Sequence, residues 1–114
     1  MMEEEYIRSL DPFSIKREKG GIRLYEVLGC EGEVLYIGIG NLRVNLPQHL
    51  PTGWFPINEG RYYRRREIPP DQTLEMTKNG LISEYERENG TLPKYNRWNR
   101  EFDIGESEEL LSLI

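Results

Sequence analysis

From Ile22 the chain reads "IRLYEVLG", dominated by large apolar and β-branched residues, and after "CEGE" a second such run follows, "EVLYIGIG". Two runs of this kind around a short glycine-containing link predict a β-hairpin. Asn41 then stands where a helix N-cap belongs, and Leu42, Leu46 and Leu50 recur at every fourth position of "NLRVNLPQHL", the spacing of a short amphipathic helix. Pro47 lacks an N–H and predicts a break or kink in that helix. "PTGWFPINEG" reads as a Pro/Gly loop whose two large aromatics pack on the core, and "RYYRRREI" reads as a third strand. "PPDQ" stops it and offers Asp71 as a helix cap, and a long helix is expected from about Thr73 to Asn89, ended by Gly90. Its apolar stripe is Leu74, Leu81, Ile82 and Tyr85, and the position completing the stripe is Lys78. A lysine there either snorkels to solvent or stands where a functional group once stood.

The order is hairpin, helix, strand, helix. Three strands cannot cover themselves, so the pattern predicts an α+β fold, a small three-stranded antiparallel sheet flanked by helices. Residues 1–20, charge-rich and ending in "REKGG", read as an N-terminal appendage, residues 21–98 as the domain, and residues 99–114 as an acidic tail or last helix.

Composition narrows the class. At 114 residues there is room for one domain, and 37% hydrophobic with 31% charged residues is a globular rather than a disordered composition. No run approaches the roughly 18 apolar residues of a membrane span. "MMEEEYIRSL" is acidic where a signal peptide is basic and then apolar, so a soluble, cytoplasmic protein with no membrane partner is expected. Cys30 is the only cysteine, which excludes an internal disulfide and a cysteine-based zinc cluster.

Charge is unevenly distributed. The net charge of −5 is carried by Glu101, Asp103, Glu106, Glu108 and Glu109, in a tail without Lys or Arg. Such a tail suits docking a protein partner or masking a basic patch. The densest basic cluster is "GRYYRRRE", with Arg61, Arg64, Arg65 and Arg66 beside Tyr62 and Tyr63. Arginines interleaved with aromatics suit phosphates and stacked bases, although a strand with one solvated charged face has the same composition. Only alternate residues of a strand share a face.

The order of these motifs resembles the GIY-YIG nuclease superfamily. "RLYEV" matches the end of its first motif with Tyr25, and "LYIG" matches the second with Tyr36, Ile37 and Gly38, eleven residues on. "GNLRVNLPQHL", ending in His49, resembles the helix that follows, and "LISEYERENGTLPKYN" resembles the late helix and its terminal Asn, here Asn96. These matches span about residues 22–96.

The resemblance implies phosphodiester hydrolysis in which tyrosines orient and activate water, an Arg on the first helix stabilises the phosphate charge, and a Glu on the late helix holds one divalent metal. It implies site positions at Tyr25, Tyr36, His49 and Asn96. At the two most demanding positions the chain departs: Asn45 stands at the place of the Arg and Lys78 at the place of the Glu, and Arg23 replaces a preferred Gly. An ammonium repels a metal. Arg43, two residues before Asn45, points about 200° away around the helix, while Glu75 lies one turn before Lys78 and could approach the same face.

The expectation is therefore a catalytically degenerate domain with no metal or cofactor. It would bind DNA or RNA through Arg43, Arg61, Arg64, Arg65 and Arg66, or serve as an interaction module. Two alternatives stand beside it: an active DNA endonuclease with a shifted site using Mg2+ or Mn2+, and a protein-interaction domain without a nucleic-acid role.

Overall fold

The computed structural model describes residues 7–97. The predicted hairpin is formed by β2 (Ile22–Leu28) and β3 (Val34–Asn41), labelled to follow a short strand β1 (Ile7–Ser9) nearer the N-terminus. Its register sets Tyr25 opposite Gly38 and Val27 opposite Tyr36. Gly32, at φ 85°, takes the left-handed turn conformation that a side chain would disfavour. On the other side of β2 runs β4 (Tyr62–Arg66), antiparallel, with Arg65 opposite Tyr25 and Arg64 opposite Glu26.

The sheet has four strands in the order β1-β4-β2-β3, one more than the three expected. The added strand is Ile7–Ser9, paired antiparallel to β4 with Arg8 opposite Tyr63. Three residues carry no measurable alternation, so only backbone pairing to a segment some 55 residues away defines them. Directly after it, helix α1 (Pro12–Lys16) is capped by Asp11, whose side chain accepts from the Ser14 N–H at 2.8 Å, and it buries Ile15 in the core.

The Leu42/Leu46/Leu50 stretch breaks at the expected proline. Helix α2 (Leu42–Asn45), capped by Asn41 through the Arg43 N–H at 3.0 Å, tightens into a 3-10 turn over Leu46–His49 that contains Pro47. Helix α3 (Leu74–Asn89) is capped by Thr73 rather than by Asp71: the Thr73 hydroxyl accepts from the Met76 N–H at 3.0 Å, and the helix ends at Gly90 with φ 80°. A final 3-10 turn covers Lys94–Asn96. The acidic tail expected at residues 99–114 lies outside the described residues, as does the start of the chain.

Strand alternation divides the core between two faces. Tyr25, Val27, Tyr36 and Tyr63 belong to one cluster, closed by Ile15, Leu42, Leu46, Phe55, Ile57 and Tyr95. Leu24, Ile37 and Ile39 form the other, under Ile68 and the α3 residues Leu74, Leu81 and Ile82. The first, here the tyrosine face, is thoroughly buried, whereas no residue of α3 is fully buried. Among the described residues no helix is long and apolar enough to cross a membrane.

Candidate functional site

Tyr25 and Tyr36 are diagonal neighbours on the tyrosine face, with ring centroids 6.1 Å apart. Gly38, opposite Tyr25, makes this possible: a β-carbon added there would stand 2.5 Å from the Tyr36 ring and 2.9 Å from that of Tyr25. The 3-10 turn brings His49 onto the pair, its ring 5.8 Å from Tyr25 and 5.2 Å from Tyr36. His49 Nδ1 lies 3.0 Å from the Phe55 carbonyl oxygen, and Nε2 lies 2.9 Å from the Tyr25 hydroxyl oxygen. A carbonyl can only accept, so Nδ1 carries the hydrogen and Nε2 accepts from the tyrosine.

Burial governs the charge state of this pair. Both side chains are inaccessible to solvent. Desolvation lowers the His49 pKa from 6.5 to about 4, the Phe55 carbonyl opposing it in part. Desolvation likewise raises the Tyr25 pKa well above its usual value, with the Asn45 side chain opposing. The imidazole is neutral with both nitrogens engaged, and the phenol keeps its proton. Neither is placed to take a proton from water, because hydrogen-bond reach to the reacting group comes before any question of basicity.

Asn45 joins the same face. Its half-buried amide sits above Gly40, where a β-carbon would collide with it, and its Nδ2 donates to the Ile39 carbonyl at 3.4 Å. Lys78 is elsewhere. It lies on the stripe of Leu74, Leu81 and Ile82, which packs on the opposite face of the sheet, so the strands separate it from Tyr25 and Tyr36. Glu75 is exposed on that same helix. Among the described residues no group of three or more His, Cys, Asp or Glu side chains is arranged to hold a metal ion.

Asn96 is at the sheet's edge. From the last 3-10 turn its Oδ1 accepts from the Ile37 N–H at 2.8 Å and its Nδ2 donates to the Ile37 carbonyl at 2.9 Å. One side-chain amide thus reproduces the pair of bonds that a further strand would make to β3. Beside it Lys94 and the Tyr95 hydroxyl both bond to Glu59, and they hold its carboxyl at about 2, well below the usual range.

The expected arginine cluster divides. Arg64 donates from Nε at 2.8 Å and from a terminal nitrogen at 2.5 Å to one oxygen of Glu26, and Arg66 approaches that oxygen at 3.9 Å. Glu26 is 4% exposed, so these two arginines neutralise a buried carboxylate on the α3 side. Arg61 donates to the Asn58 and Gly60 carbonyls, both at 2.9 Å, and Arg43 is exposed on α2. Arg65 alternates to the tyrosine face.

There it joins cations that the motif reading passed over. Arg8, Arg17, Lys19, Arg23 and Arg65 surround a cavity of about 470 Å³ together with Glu18. The run "KREKGGIR", four cations in eight residues, was the available signal. Arg8 could be found only once β1 was paired. Arg23 and Arg65 also line a second cavity of about 380 Å³ beside Ile22, Leu24, Arg66 and Glu67. Comparison with protein-family models, with curated proteins and with solved structures finds no match to this chain.

Proposed function

We propose that this chain is a GIY-YIG-like domain that binds nucleic acid through its phosphates in the cytoplasm and does not hydrolyse it. Support for the family reading comes from the hairpin, helix, strand, helix order and from Tyr25, Tyr36, Asn45 and His49 sharing one face of the sheet. The observation that carries the loss of hydrolysis is the sealed Tyr25–His49 hydrogen bond, two neutral groups without access to water. Beside them stands an amide, Asn45, where phosphoryl chemistry needs a fixed positive charge. The position of the metal-binding carboxylate is a lysine on the far side of the sheet.

Binding is favoured over a purely proteinaceous interaction by the cations gathered around Arg23 and Arg65 within residues 1–100, whose charges sum to zero. Phosphate contacts release counterions, so affinity for a DNA or RNA oligonucleotide, read by fluorescence anisotropy, is expected to fall steeply with salt. Four neutralised phosphates would give a log–log slope of about −3 to −4. Removing residues 101–114, which carry five acidic groups and no basic one, is expected to raise affinity at low salt. If neither the full chain nor the truncated one shows salt-sensitive binding, the nucleic-acid reading fails and an interaction domain takes its place.

A further inference from the structure

We infer that the cavity ringed by Arg8, Arg17, Lys19, Arg23 and Arg65 is a phosphate site for single-stranded nucleic acid, with Phe13 as the platform for an adjoining base. The inference rests on the nucleic-acid reading and names its substrate class and binding surface.

The site is assembled by strand pairing. Arg8 on β1 is opposite Tyr63, two residues from Arg65 on β4; Arg65 is opposite Tyr25, two residues from Arg23 on β2. Steps of two preserve the face, so all three arginines emerge on the tyrosine side. Arg17 and Lys19, just beyond α1, close the ring. Folding therefore draws cations from four separate segments into one concavity.

Among the described residues, five cations and one carboxylate line the cavity, and that carboxylate is already engaged. Glu18 accepts from the Tyr63 hydroxyl and lies 3.9 Å from Arg65. Arg17, Lys19 and Arg23 make no ion pair with any described residue. Converging like charges favour an anion between them, and guanidinium forks match phosphate oxygens in geometry.

Phe13 supplies the second chemistry. It is 78% exposed, the most exposed large apolar side chain among the described residues. It precedes Ser14, which also lines the cavity, and lies four residues before Arg17, hence on the same side of α1. A ring beside a phosphate pocket suits an unpaired base, since stacking requires a face that a duplex keeps covered.

The test is fluorescence anisotropy with labelled single-stranded and duplex oligonucleotides of one sequence, each about twelve nucleotides, enough to span one site. It is accompanied by amide NMR shifts at Gly20 and Gly21 on addition of inorganic pyrophosphate. The wild-type chain is expected to prefer the single strand. Phe13→Ala should weaken that complex by about five-fold to a hundred-fold, the range of one stacked base, and leave the pyrophosphate shifts in place. The surface double variant Lys19→Glu, Arg23→Glu should lose at least about ten-fold for the single strand along with the pyrophosphate shifts. Wild-type affinity in the double variant, with its fold verified by the same spectra, would overturn the phosphate site while leaving the nucleic-acid reading intact. Pyrophosphate shifts without binding of any oligonucleotide would overturn the single-strand assignment and the nucleic-acid reading together, and would leave a small-anion pocket.

Discussion

Lowering the pH from about 7 to about 5 is expected to cost about 2 kcal/mol of folding stability, a loss traced to one histidine. His49 titrates near 6.5 when unfolded and near 4 when folded, since burial disfavours its charged form. Above the unfolded value neither state binds the proton and the stability is fully present. As pH falls through 6.5 the unfolded chain takes up a proton that the native chain refuses, so stability drops by about 1.4 kcal/mol per unit until the folded pKa is reached. The Glu59 carboxyl, lowered from 4.5 to about 2, acts mainly below this window. Urea midpoints at the two pH values measure the effect, an expected shift of about 1 M for a domain of this size. His49→Gln should flatten the dependence. A wild-type midpoint that does not move would show that protons reach the imidazole freely, as they must in a working general base.

Asn96→Ala is expected to destabilise the fold by about 2–4 kcal/mol, because it strips partners from both the N–H and the carbonyl of Ile37. Each is buried backbone on an edge strand, and an unpaired buried group costs about 1–3 kcal/mol. Hydrogen exchange should show the Ile37 amide losing protection ahead of its neighbours in β3, and urea unfolding gives the total. A variant that keeps full stability but loses nucleic-acid affinity would instead make Asn96 a contact residue.

Those two residues also mark where sequence reasoning succeeds and stops. The hairpin, the β4 strand, the break at Pro47 and the α3 helix with its Gly90 end were all legible, because alternation, four-residue spacing and glycine stops are local signals, whereas the cap fell on Thr73 rather than Asp71. Ile7–Ser9 was not, since its strand character comes entirely from β4. Asn96 was legible as a notable residue, while the backbone it meets lies 59 residues away in the chain. Lys78 stood out in the helical stripe, yet which face of the sheet that stripe covers is a tertiary fact. The arginine run divided in a way its composition did not show: alternation committed Arg64 and Arg66 to Glu26, and Arg65 lies with Arg8, Arg17, Lys19 and Arg23, on β2 and the segments before it.

The tyrosine face accordingly has two tasks in separate places. Its buried part, Tyr25, Tyr36 and His49, is a hydrogen-bonded and aromatic core that Gly38 makes room for. Its open end gathers the cations. On the proposed reading the cations hold phosphate while the buried part does no chemistry on it, Asn45 standing beside it as a neutral amide.

Supercoiled plasmid incubated with the protein and either Mg2+ or Mn2+ at low salt tests that separation most directly. The expected result is plasmid retarded on a gel yet recovered fully supercoiled after the protein is removed. Nicking or linearisation that requires the metal and vanishes in Tyr36→Phe would contradict it.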